Sequence, residues 1–232
     1  MILGIVAAPD GRDDGIELPP LNAAAPARLL VMLHGAGSGP GELVPAALAW
    51  QLKLRSARVL LLRAPFDAGT PARRFWADPA CYPVTAQAIR SAAEHIRPRI
   101  ETARRALGLD RGQVCVIGFS QGASVALELA FGPEPAAALI IGYAARLYRL
   151  PNSADRIDAA VHLLHGVADS VVPSGYGEAA YRRLRAAGAR VSLDLQTDEG
   201  HAVGQHLINR GTQFVMDWIF GRGLPEPGRT AH

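Results

Sequence analysis

Gly118-Phe119-Ser120-Gln121-Gly122 stands directly behind the apolar run Gln113-Val114-Cys115-Val116-Ile117 and ahead of a helix-period segment that begins at Ala123. The order is strand, G-x-S-x-G, helix. A serine on so tight a strand-to-helix turn must take a strained backbone conformation, and flanking glycines give neighbouring segments room to approach. The turn lifts the hydroxyl off the strand and sets it at a helix N-terminus, where free N–H groups and the helix dipole favour negative charge. Glycine and serine also populate ordinary turns, so the pentapeptide takes its weight from the elements on either side.

Those elements belong to a longer alternation. Strands are expected at Arg28–Leu33, Arg58–Leu62, Gln113–Phe119, Ala137–Ile141, Ala160–His165 and Arg190–Leu195, several of them continuous Val/Leu/Ile runs. Continuous apolar runs fit a parallel sheet covered on both faces. Helices are expected between them, at Glu42–Arg55, Thr85–Leu107, Ala123–Phe131, Glu178–Ala187 and Gln205–Phe220, with stops such as Gly108 and Gly188. The alternation predicts an α/β domain with a mostly parallel, doubly wound sheet flanked by helices. Met1–Ala7 and Gly15–Leu18 read as edge strands or a hairpin. A single domain is expected over residues 1–220, with 221–232, rich in Gly, Pro and Arg, as a flexible tail. Ile141 and Ala160 are joined by a connection of ordinary length, so no large lid domain is expected.

Composition bounds the rest. The 232 residues are 49% hydrophobic, enough to bury a sizeable core without metal or disulfide staples. Cys81 and Cys115 form neither a disulfide framework nor a zinc-ligand spacing, which points to a reducing, cytoplasmic setting. Met1–Ala8 is short, lacks a basic leader and runs into Asp10, Arg12, Asp13 and Asp14, unlike a signal peptide. No apolar run reaches the length of a transmembrane helix. The net charge of +3 comes from scattered arginines, with Lys53 the only lysine. Without aromatic interleaving these read as solvated helix faces, not as a nucleic-acid surface.

A nucleophilic serine needs a base, and the base needs an acid to orient it. On a sheet of this kind the partners follow in the order Ser, Asp, His, each on a loop after a strand. Gly166-Val167-Ala168-Asp169 follows Val161–His165, and Asp198-Glu199-Gly200-His201 follows Val191–Leu195. Asp155 and Asp158 precede their strand and Asp194 lies inside one, so Asp169 is the candidate acid. His95 is expected mid-helix, His162 in a strand and His206 at the turn into the last helix; His165 reads as a hydrogen-bonding support close to Asp169. His201 is the candidate base. The oxyanion requires N–H donors. One is expected from Gln121, the residue after the nucleophile, and one from Ala36 in the glycine-rich loop His34-Gly35-Ala36-Gly37-Ser38-Gly39, with His34 bracing that loop. Read as a dinucleotide cradle, this loop would need glycine or alanine where Pro40 stands; Arg63 could imitate a 2′-phosphate partner, but nothing in that reading uses Ser120, Asp169 or His201.

With these residues placed, the chain resembles the phospholipase/carboxylesterase family of the α/β-hydrolase superfamily, which includes acyl-protein thioesterases. The likeness rests on Leu33–Gly37, Gly118–Ala123, His165–Asp169 with Val172-Pro173, and Gly200-His201, and spans about Arg28 to Phe220. Arg74-Phe75-Trp76-Ala77-Asp78 is similar to the family's segment near the acyl site, with Ala77 where an aromatic residue is common. The resemblance implies an α/β-hydrolase fold and hydrolysis of a small-molecule ester or thioester through an acyl-enzyme, with no metal or organic cofactor. Phe66, Phe75 and Trp76 are candidates to line an apolar acyl groove. A lysophospholipase or other acyl hydrolase on the same triad is the neighbouring alternative. A non-catalytic ligand-binding protein is the alternative from another class, and retention of all three triad candidates argues against it.

Overall fold

The computed structural model describes residues 4–7, 13–22, 25–67, 69, 73–132 and 134–221; all of the expected tail but Gly221 lies outside them. The strands are β1 Gly4–Ala7, β2 Asp13–Leu18, β3 Arg28–Leu33, β4 Ala57–Leu62, β5 Phe66–Asp67, β6 Arg74–Phe75, β7 Val114–Phe119, β8 Leu139–Tyr143, β9 Ala160–Gly166 and β10 Arg190–Gln196. The helices are α1 Val44–Lys53, α2 Ala86–Ala106, α3 Gln121–Leu129, α4 Gly175–Ala186 and α5 Gln205–Ile219. One eight-stranded sheet runs in the order β1-β2-β4-β3-β7-β8-β9-β10, and β5 pairs with β6 in a separate small sheet.

Within the large sheet, every pairing from β4 through β3, β7, β8 and β9 to β10 is parallel. β2 runs antiparallel to both β1 and β4, so the expected edge hairpin is present where the residues are described. Successive β3 residues alternate between two cores. Leu29, Val31 and Leu33 pack with apolar residues of α2, α3 and α4 on one face. Leu30 and Met32 pack with those of α1 and α5 on the other. That two-sided covering is why the strands read as unbroken apolar runs. In α2 the inward stripe is Ile89, Ala92, Ala93, Ile96 and Ile100. Thr85 Oγ1 caps this helix by accepting from Ala88 N–H (3.1 Å), and Gly108 ends it with φ 65°.

Element boundaries shift where tertiary contacts outweigh local preference. β8 runs on through Gly142 and Tyr143 because these pair with Gly118 and Phe119 of β7. α3 starts at Gln121, ahead of the expected Ala123, and α1 is preceded by a short 3₁₀ turn at Pro40–Leu43. The connection from β8 to β9 runs only from Ala144 to Ala159, and no lid domain interrupts the fold there. Because the strands are parallel, the carboxyl ends of β3, β7, β9 and β10 lie along one edge of the sheet, and the candidate residues follow those ends.

Candidate active site

Ser120 sits between β7 and α3 with φ 54° and ψ −117°, a conformation that L-residues rarely adopt. Such a residue costs about 1–3 kcal/mol and persists only where its surroundings hold it. Ser120 N–H donates to the Tyr143 carbonyl of β8 (2.9 Å), and the Ser120 carbonyl accepts from Ser124 N–H (3.1 Å). The flanking glycines make room. A Cβ on Gly118 would lie 2.4 Å from the Gly122 carbonyl oxygen, and one on Gly122 would lie 2.4 Å from that of Leu33. No larger residue fits this crossing of β3, β7 and α3.

Asp169 and His201 meet as expected. His201 Nδ1 donates to Asp169 Oδ2 (2.8 Å), while Asp169 Oδ1 accepts from the N–H groups of Val171 (2.9 Å) and Val172 (2.8 Å). Burial pushes the Asp169 carboxyl up, but the hydrogen bonds from His201, Val172 and Val171 outweigh it and hold the group below its ordinary range. The two loops are also tied through the backbone: Ala168 N–H donates to the Glu199 carbonyl (3.0 Å) and Val167 N–H to the Gln196 carbonyl (2.8 Å). The His201 ring lies against the ring of Phe119 (centroids 4.9 Å apart), the residue just before Ser120. His165 takes the supporting place expected of it. Its Nε2–H donates to the Val172 carbonyl (2.8 Å) and sits 3.5 Å from Asp169 Oδ2. Among the rivals, His95 lies within α2, His206 within α5, and His162 is buried in β9 against Phe214, away from Asp169.

The glycine-rich loop faces the serine. A Cβ on Gly35 would lie 3.6 Å from that of Ser120. Ala36 is exposed, and Gln121 is the first residue of α3, where an N–H has no partner within the helix. His34 braces the loop from beneath: Nδ1–H donates to the Gly35 carbonyl (2.8 Å) and Nε2 accepts from Ala64 N–H (3.1 Å). Burial above all, with Arg63 and Arg74 nearby and the Gly35 bond opposing, lowers its pKa to about 4, so the ring is neutral.

The profile of the phospholipase/carboxylesterase family matches residues 21–219. The chain belongs to that family. Esterase YpfH of Escherichia coli strain K12 is 30% identical over 196 residues, 83% of this chain and 82% of that protein. The crystal structure of esterase PE8 superposes with a TM-score of 0.75 at 25% identity, covering 88% of this chain and 98% of that one. The Bacillus cereus carboxylesterase shares the fold (TM-score 0.71, 19% identity, 87% and 92% covered). The architecture is that of the α/β-hydrolases, and the protein is an esterase-type hydrolase.

Within this family member the aromatic candidates separate. Phe66 and Phe75 face each other across β5 and β6. Phe66 is exposed on a cavity of about 480 Å³ beside α2, and Phe75 leans on Gly37 of the glycine-rich loop. Trp76 corrects the expectation of a groove-lining role, because it is wholly buried. Its indole N–H donates to the His34 carbonyl (2.7 Å), and its backbone N–H donates to Gln121 Oε1 (2.7 Å). Trp76 thus ties the glycine-rich loop to the serine turn from below. The Gln121 side chain in this tie was not foreseen; glutamine beside the serine in Gly-Phe-Ser-Gln-Gly was the available signal. Among the described residues no group of His, Cys, Asp and Glu is arranged to hold a metal, and no helix is long and apolar enough to cross a membrane.

Proposed function

We propose that this esterase cleaves carboxylic esters or thioesters of small or acyl-chain substrates by a two-step acyl transfer at Ser120. The observation that carries the reading is the 2.8 Å bond from His201 Nδ1 to the buried Asp169 carboxylate, on the same sheet edge as a strained serine. That bond leaves Nε2 of His201 to take the Ser120 proton as Oγ attacks the acyl carbonyl. The tetrahedral oxyanion rests on the N–H groups of Ala36 and Gln121. His201 gives the proton to the departing alcohol or thiol, then draws one from water as the hydroxyl attacks the acyl-enzyme, and returns it to Ser120 Oγ as the acid leaves. Phe66 and Phe75 supply apolar surface for the acyl chain, and Trp76 holds the oxyanion loop in register. No nucleic acid or membrane insertion enters this chemistry. A cytoplasmic setting fits the free thiols of Cys81 and Cys115.

A fluorophosphonate probe tests the nucleophile: the wild-type chain labels, and Ser120→Ala does not. A wild-type chain that never labels would favour a binding protein on a hydrolase scaffold. Esters, thioesters and lysophospholipids of graded chain length then rank the substrates.

A further inference from the structure

A cavity of about 610 Å³ opens beside the Asp169 turn, lined by residues that include Arg146, Leu147, Tyr148, Pro173, Tyr176 and Arg183. The chain fixes its place relative to the site. Tyr143, whose carbonyl anchors Ser120 N–H, leads through Ala144 (φ 52°) to Arg146, and Pro173 follows Val172, whose N–H holds Asp169. The cavity therefore borders the carboxyl edge of the sheet next to the catalytic candidates.

Its chemistry is cationic. The Arg146 guanidinium carbon lies 4.7 Å from the ring centroid of Tyr148 and 4.7 Å from that of Tyr176. Elsewhere the arginines pair: Arg149 meets Glu128 and Asp155, both at 2.6 Å, and Arg182 meets Glu178 at 3.2 Å. Among the described residues no carboxylate lies within ion-pair distance of Arg146 or Arg183, and no acidic residue lines the cavity. The Arg146 guanidinium also donates a hydrogen bond to the Tyr148 hydroxyl, and this bond together with the two ring contacts orients it; its remaining N–H groups face no carboxylate and are left for a ligand. Preorganised donors without a counter-charge select an anion.

We propose that this cavity is a subsite for an anionic group of the substrate, a carboxylate or phosphate, with Arg146 as its main ligand and Arg183 as a second. It names a substrate class for the esterase reading and rests on it: esters or thioesters that carry negative charge on the acyl or the leaving side. Oriented by the rings of Tyr148 and Tyr176, Arg146 offers the site planar N–H donors beyond the one bound to the Tyr148 hydroxyl.

Two measurements separate the subsite from the catalytic reading. Calorimetry with glutarate on the Ser120→Ala chain reads binding without turnover; adding Arg146→Gln weakens it roughly tenfold, the order expected for loss of one charge-assisted contact. Glutarate and inorganic phosphate, titrated in the same way, overturn the subsite if neither binds or if what binds does so equally well without Arg146. Turnover of monoethyl glutarate against ethyl valerate, which share a five-carbon acyl chain, gives the acyl-side arm. S-butyryl 4′-phosphopantetheine against S-butyryl pantetheine gives the leaving-group arm. In at least one arm the wild-type kcat/KM ratio favours the anion, and Arg146→Gln lowers that ratio about tenfold. Ratios insensitive to Arg146 in both arms overturn the proposal. Arg146-dependent glutarate binding in a chain that turns over no ester leaves the subsite standing and removes the catalytic reading.

Discussion

At the scale of single residues, Ser120 is held in its strained turn by contacts that tolerate no added atom. Gly122→Ala sets a methyl 2.4 Å from the Leu33 carbonyl oxygen, so α3 must retreat from β3. The expected loss is about 3 kcal/mol, at the upper end of ordinary single substitutions, read from urea unfolding, with a parallel fall in probe labelling. The chemistry of the proposed triad separates from its stability. His201→Ala and Asp169→Asn are each expected to lower kcat by about 10⁴-fold while near-ultraviolet circular dichroism stays native. Unchanged turnover in either variant removes that residue from the mechanism. Asp169→Asn acts through the tautomer: the amide oxygen can still accept from the Val171 and Val172 N–H groups, but the amide NH₂ meets His201 Nδ1 as a donor and leaves the proton on Nε2.

At the scale of elements, the β5–β6 strap and the Trp76 that follows it join two loops distant in the chain. The indole N–H reaches the His34 carbonyl, and Gln121 Oε1 reaches back to Trp76 N–H. Gln121→Leu leaves that N–H without its acceptor beneath the site, a cost of about 1–3 kcal/mol. The expected kinetic signature is a lower kcat with little change in KM, because the proposed oxyanion donors lose their register while the proposed acyl surface remains. A rise in KM alone would show that the tie serves substrate binding instead. The connection Ala144–Ala159 is too short to cover the cleft as a lid. Hydrolysis is therefore expected to track the dissolved ester concentration, without a jump when triglyceride forms droplets; such a jump would require a cover over the cleft.

At the scale of the whole molecule, two buried histidines couple folding to pH. Burial above all lowers His34 to about 4, and burial followed by the nearby Arg210 lowers His162 to about 3. An imidazole in the unfolded chain titrates near ~6.5, so the unfolded state takes up protons first. Their contribution to stability is complete above about pH 6.5 and is lost as pH falls toward the folded values, at up to about 1.4 kcal/mol per pH unit per proton. Glu128, raised by burial against the pull of Arg149 and Arg90, works in the opposite direction near the carboxylate range. Asp169, held low, adds its own loss only at more acidic pH. Urea unfolding at pH 7, 6 and 5 should show stability declining with acid; a flat response over that interval would mean that both imidazoles protonate freely in the folded chain.

The placement of Ser120, Asp169 and His201 on one sheet edge was legible in the amino-acid sequence because each follows a Val/Leu/Ile run by a few residues, and parallel strands bring their carboxyl ends together. The α/β order was legible for the same reason: a strand buried on both faces must be apolar throughout. Trp76 was not legible as a brace, since an aromatic residue near the acyl segment reads equally as wall or as core until its indole is seen against the His34 carbonyl. Nor was Arg146, whose rings come from Tyr148 beside it and from Tyr176 on α4. Local periodicity and turn chemistry thus determined the fold class and the order of the candidate groups. Tertiary structure alone decided which side chains brace the candidate site and which line the cavity beside it, because those choices depend on contacts between segments far apart in the chain.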